Sequence, residues 1–171
     1  PTLNLKERRV KMIEGIVLPE SVKSIFYVLN RNGYEAYLVG GAVRNSIIGL
    51  PVHDWDICTN ALPEDVCKLF RSKGFRVVET GLQHGTVTVM VNYRGYEITT
   101  YRIDGKYTDS RHPDSVKFIG NIHEDLARRD FTMNAIAYND DDGFIDPFNG
   151  LKDIENKVIR CVGTPVDRFT E

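Results

Sequence analysis

The 171-residue chain is 42% hydrophobic, enough for an ordinary core, and its 24 acidic and 22 basic residues leave a net charge of −2. That balance excludes the global basic field of a nucleic-acid coat protein, so any nucleic acid must meet local basic patches. Cys58, Cys67 and Cys161 form no Cys-x-x-Cys pair, which argues against a disulfide framework or a structural zinc site; no apolar run approaches the ~18 residues that cross a bilayer, and the reading is a cytoplasmic protein with no membrane partner.

Residues 1–14, with Lys6, Arg8, Arg9 and Lys11, read as a solvated terminal arm, and residues 15–160 as one domain. Val22, Ile25, Phe26 and Leu29 fall at helical spacing between Pro19 and Gly33. A strand over 34–39 is expected to run into Gly40-Gly41, with Val43, Ile47 and Ile48 marking a helix that Gly49 closes. Residues 53–58 read as a strand, and Leu62, Val66, Leu69 and Phe70 as a helix from Pro63 to Gly74.

Three β-rich stretches follow, 75–78, 85–93 and 96–103, with a hairpin turn expected at Arg94-Gly95. The sheet therefore has about five strands. The polar stretch 104–113 reads as a mobile loop, 123–137 as one helix, and Asp140-Asp141-Asp142-Gly143 as a turn.

Within a strand, Asp54 and Asp56 share a face, and two carboxylates about 6–7 Å apart can converge on hard cations. A bare Asp-x-Asp is more often an exposed pair without metal. Its neighbours change the balance: the backbone N–H groups at Gly40-Gly41 can attract phosphate and Arg44 can pair with phosphate oxygens. The segment lacks the Gly-Lys-Ser/Thr ending of a P-loop and the Gly-x-Gly-x-x-Gly of a dinucleotide fold, so neither an ATPase nor a dehydrogenase is supported. Glu97 could serve as a third carboxylate, although a strand glutamate is usually a solvated surface residue. In Arg128-Arg129-Asp130-Phe131-Thr132-Met133-Asn134, the arginines could bind phosphate while Asp130 and Asn134 hydrogen-bond a ribose; locally, a solvated charged helix start is the alternative.

Taken together, these segments resemble the head of class II tRNA nucleotidyltransferases, the bacterial CCA-adding enzyme, A-adding enzyme and poly(A) polymerase family. The resemblance is carried by Val39-Gly40-Gly41-Ala42-Val43-Arg44, Asp54-Trp55-Asp56-Ile57-Cys58-Thr59, Ala61-Leu62-Pro63-Glu64-Asp65-Val66, His84-Gly85-Thr86-Val87-Thr88-Val89, Glu97-Ile98-Thr99-Thr100 and Arg128 to Ala135. It implies an α+β, polymerase beta-like nucleotidyltransferase head, a roughly five-stranded mixed sheet packed on helices, with an all-helical neck starting at 161–171.

By the same resemblance Asp54 and Asp56 bind two catalytic Mg2+ ions, with Glu97 as third acidic residue. Gly40, Gly41 and Arg44 meet the triphosphate, while Arg129, Asp130 and Asn134 meet the nucleotide from the other wall. The implied partners are CTP, ATP and the tRNA 3′ end, and the stretch 104–113 resembles the family's flexible loop. Asn45 stands where the family usually has aspartate, so a salt bridge to Arg44 would become a neutral hydrogen bond. The family's base-reading helix would begin after Glu171, which leaves an isolated head, an ordered fragment or one part of a split enzyme as alternatives, along with a homodimer or a separate C-terminal segment. An A-adding enzyme or poly(A) polymerase, a non-catalytic nucleotide- or RNA-binding module, and transfer to a small molecule remain the competing functions.

Overall fold

A computed structural model describes residues 15–104, 116–118 and 120–165. The arm at 1–14, nearly all of the expected loop at 104–113 and the chain end at 166–171 lie outside the described residues.

The strands β1 (Tyr37–Val39), β2 (Ile57–Thr59), β3 (Arg76–Gly81), β4 (Thr86–Val91), β5 (Arg94–Thr100), β8 (Ala137–Asn139) and β9 (Gly143–Ile145) form one sheet. Its order is β3-β4-β5-β2-β1-β8-β9, and every neighbouring pair is antiparallel except β2 with β5. The mixed character was legible; among the described residues the sheet has seven strands rather than about five. A separate ribbon pairs β6 (Arg102–Asp104) with β7 (Val116–Phe118).

Both faces of the central strands are covered, so their side chains alternate between two apolar clusters rather than between core and water. Leu38, Ile57, Ile98 and Tyr138 enter the larger cluster. There they meet α1 (Glu20–Arg31), α2 (Gly41–Ile48) and α3 (Pro63–Ser72) through residues such as Ile25, Val43 and Phe70. Tyr37, Val39, Cys58 and Ala137 point the other way, toward Ile122 and Leu126 of α4 (Ile122–Ala127). Burying four aliphatic or aromatic side chains from α1 contributes about 1.5–3 kcal/mol each before chain entropy is counted.

The hairpin turn lies at Asn92-Tyr93, not Arg94-Gly95: both turn residues have positive φ, 49° and 63°, while Arg94 and Gly95 already pair with Val91 and Met90. Glycine at 95 serves cross-strand space instead, since a Cβ there would stand 2.9 Å from Thr88 Cγ2.

The helix expected over 123–137 is also divided. Asn121 caps α4 by accepting the His123 N–H at 2.8 Å, and the helix ends at Ala127. Asp130 then accepts the Val162 N–H at 2.8 Å through its carbonyl, and Phe131 bridges Cys161. Those tertiary pairings draw the backbone out of the helix into a 3₁₀ turn, Thr132–Asn134, and then into β8. Behind the turn stands α5 (Gly150–Asn156), where the Thr132 hydroxyl donates to Asp153 at 2.7 Å and the Thr132 carbonyl leaves no room for a side chain at Gly150.

Candidate active site

β1 delivers the chain to Gly40 in a conformation, φ 65° and ψ −135°, that glycine alone adopts readily, and α2 begins at the next residue. Two guanidinium groups overhang this turn. A Cβ on Gly40 would lie 3.2 Å from Arg129 Nη1, and one on Gly41 would lie 3.4 Å from Arg44 Nη2.

Arg44 is held at two points: its Nη1 donates to Asn134 Oδ1 at 2.7 Å and its Nε to Asn45 Oδ1 at 3.1 Å. Asn134 in turn donates to Asp130 Oδ1 at 3.2 Å, which also accepts the Phe131 N–H at 2.7 Å. Asp130 and Asn134, read from sequence as ribose partners, are engaged here with each other and with Arg44. Asn45 supplies the neutral hydrogen bond expected of it.

Arg129 is held differently. Its side chain is 17% exposed, and its Nη2 donates to Asp125 Oδ2 at 3.4 Å and to Cys58 Sγ at 3.5 Å. Burial first, and the charge of Asp125 second, push the Cys58 thiol up to about 12, which keeps it neutral and unreactive. Sequence reasoning missed Asp125 and Cys58. The available signal was the placement of an aspartate three and four residues ahead of two arginines, the spacing at which helical side chains meet.

The acidic wall is less tightly held. The expected strand over 53–58 starts only at Ile57, so the alternation argument for Asp54 and Asp56 fails. Asp54 is exposed in an irregular segment, while Asp56 is half-buried and accepts the Val39 N–H through its carbonyl at 3.0 Å. What joins the carboxylates is the parallel register of β2 and β5: Ile57 pairs with Ile98, which puts Asp56 and the exposed Glu97 side by side. Asp56 is held above the usual carboxylate range chiefly by burial, then by the negative charge of Glu97; Arg129 opposes the rise and Asp54 adds to it.

Among the described residues no three His, Cys, Asp or Glu side chains stand in a metal-ligating arrangement. In chemistry, however, the donor set fits a hard divalent cation: the donors are carboxylate oxygens, and their mutual repulsion at Asp56 is what such a cation relieves. The Asp54 segment is itself tethered, because Arg94 Nη2 donates to the His53 carbonyl from the turn end of the hairpin.

A glycine turn is thus overhung by two guanidinium groups, and two carboxylates are brought together by the pairing of two parallel strands. Residues 36–160 match the poly A polymerase head domain, and the chain belongs to that family. It is 46% identical over 157 residues to the CCA-adding enzyme of Ligilactobacillus salivarius, covering 90% of this chain and 38% of that protein. With the CCA-adding enzyme of Geobacillus thermodenitrificans it shares 50% over 143 residues, covering 84% and 34%. Among solved structures, the Bacillus stearothermophilus CCA-adding enzyme in complex with CTP superposes with a TM-score of 0.77 at 43% identity, over 88% of this chain and 35% of that one. A tRNA nucleotidyltransferase complexed with a primer tRNA and an incoming ATP analog gives 0.63 at 32% identity, over 86% and 41%. The chain thus spans between about a third and two-fifths of the length of these relatives.

Proposed function

We propose that this chain is the catalytic head of an enzyme that adds CMP and AMP from CTP and ATP to the 3′ end of tRNA. The observation that carries the reading is the approach of Arg44 and Arg129 to the Gly40-Gly41 turn, with Arg129 close enough to Asp56 to offset its neighbouring carboxylates and Glu97 set beside Asp56 by the strand register. The family and the naming of its relatives as CCA-adding enzymes support it.

In this reading the RNA 3′-hydroxyl attacks the α-phosphate and pyrophosphate leaves. Arg44 and Arg129 take the triphosphate, with backbone N–H groups at the start of α2 adding donors, so the scissile phosphate is presented toward the acidic wall. Asp130 and Asn134 contribute by fixing the angle of Arg44. Asp54, Asp56 and Glu97 would hold divalent cations, Mg2+ by their hard oxygen chemistry. Such ions supply neutralisation of phosphate charge and a lowered pKa for the attacking hydroxyl. Asp56 and Glu97, whose negative charges crowd each other, would be relieved by such an ion. Among the described residues no helix is long and apolar enough to cross a membrane.

The test is metal-dependent incorporation of labelled CMP and AMP by the protein carrying this chain. The RNAs are tRNA lacking its terminal CCA, tRNA ending in CC, and an unrelated RNA. Extension of the first with both nucleotides is expected. Extension of the second alone would reassign the protein to A addition, extension of the unrelated RNA to poly(A) synthesis, and extension of none would overturn the enzymatic reading.

A further inference from the structure

We propose that Asp125 is a positioning residue for nucleotide binding: buried beneath the cleft, it fixes the Arg129 guanidinium over the Gly40 turn. The proposal rests on the reading of Arg129 as a triphosphate ligand. Asp125 is 0% exposed, and burying a carboxylate is costly unless it is paired and hydrogen-bonded. Its partners come from β6, β2 and the two residues that follow its own helix. Oδ1 accepts the Arg102 N–H of β6 at 3.1 Å and Arg128 Nε at 3.1 Å. Oδ2 accepts Arg129 Nη2 at 3.4 Å and the Cys58 thiol of β2 at 3.7 Å.

Arg129 follows Asp125 by four residues, so its side chain turns back across that carboxylate. With Nη2 tied to Asp125 and to Cys58 Sγ, the other terminal nitrogen, Nη1, is the one that reaches Gly40. A guanidinium held along one edge presents the other with its rotamer already chosen, and less conformational freedom remains to be lost when phosphate arrives. Arg44 is restrained on the same plan through weaker means, since an amide, Asn134, stands between it and Asp130. Asp125 touches no ligand in this scheme. Its effect on binding passes entirely through Arg129.

The test is a double-mutant cycle read by equilibrium binding of CTP and of inorganic tripolyphosphate, with the melting temperature of each variant recorded. Asp125→Asn keeps an acceptor for the Arg102 N–H but turns an N–H2 group toward the guanidinium. D125N and R129Q are each expected to weaken both probes by about tenfold. D125N added to R129Q should cost no further affinity, although it lowers the melting temperature in either background. Independent, multiplying losses would overturn the positioning role and leave Asp125 a structural group. Unchanged binding in R129Q, or no binding by the parent chain, would instead overturn the reading of Arg129. If D125N does not fold, Asp125→Glu takes its place in the cycle, pushing the carboxylate about 1.5 Å toward the guanidinium; affinity lost only when Arg129 is present supports the proposal, and unchanged affinity overturns it.

Discussion

The two walls of the cleft are built on opposite principles. On the basic wall every cation has a protein partner behind it: Arg44 rests on Asn45 and Asn134, and Arg129 on Asp125 and Cys58. On the acidic wall a charge is buried beside like charges, with Asp56 raised first by burial and then by Glu97, and only partly relieved by Arg129. The basic wall is thus shaped before any ligand arrives, as electrostatic preorganisation requires, whereas the acidic wall depends on what it binds to become comfortable.

The largest effect should come from emptying the acidic wall. Asp54→Ala with Asp56→Ala is expected to reduce metal-dependent nucleotide incorporation by about a thousandfold or more while leaving the fold intact, because deleting repelling charges removes no packing. Activity equal to the parent would end the distinction between the walls.

Next is Gly40→Ala. The backbone conformation there costs a side-chain-bearing residue about 1–3 kcal/mol, and the added Cβ would stand 3.2 Å from Arg129 Nη1. Both a lower melting temperature and tripolyphosphate affinity weakened by about tenfold are expected. Lost stability with unaltered affinity would show that the guanidinium need not sit there.

Asp56→Asn removes the cost of burying that charge together with its repulsion by Glu97. Because the folded-state pKa of Asp56 lies above its ordinary 3.8, its ionisation disfavours the folded chain; that cost is absent below 3.8, where both states are protonated, and grows as pH rises toward the folded value. With chelator present, D56N should therefore melt higher than the parent at neutral pH, the gain vanishing as the pH falls below 3.8, the ordinary value. A gain that survives there would place its origin outside charge.

The smallest change expected is from Asn45→Asp, which gives Arg44 a charged acceptor but withdraws the Asn45 amide from the Pro51 carbonyl. CTP affinity should rise by less than about threefold, since one such partly exposed pair is worth under 1 kcal/mol. A tenfold change would mean that Arg44 is not already held by Asn134.

Much of this was legible in the chain. The helices were, because Val22, Ile25, Phe26 and Leu29, or Val66 and Phe70, repeat at a period that only a helix buries on one side. The strand-to-glycine-to-helix passage at 37–48 was legible for the same reason. Short central strands were not: Ala137–Asn139 is covered on both faces, so it shows no alternation and reads as a continuation of the apolar residues before it. Register was hidden as well. Asp56 and Glu97 meet through the parallel pairing of Ile57 with Ile98, and nothing local to either residue announces its partner. The ring of contacts around Asp125 joins β2, α4 and β6, and a contact between distant segments leaves no mark in either segment's periodicity.

That ring also constrains how such a chain can change over generations. Replacing the aspartate alone takes from two mostly buried arginines the carboxylate they share, and replacing Arg129 alone takes a cation from a carboxylate with no access to water. Either single step passes through a less stable ancestor. Substitutions at 125 and 129 should therefore arrive together among descendants, or scarcely at all.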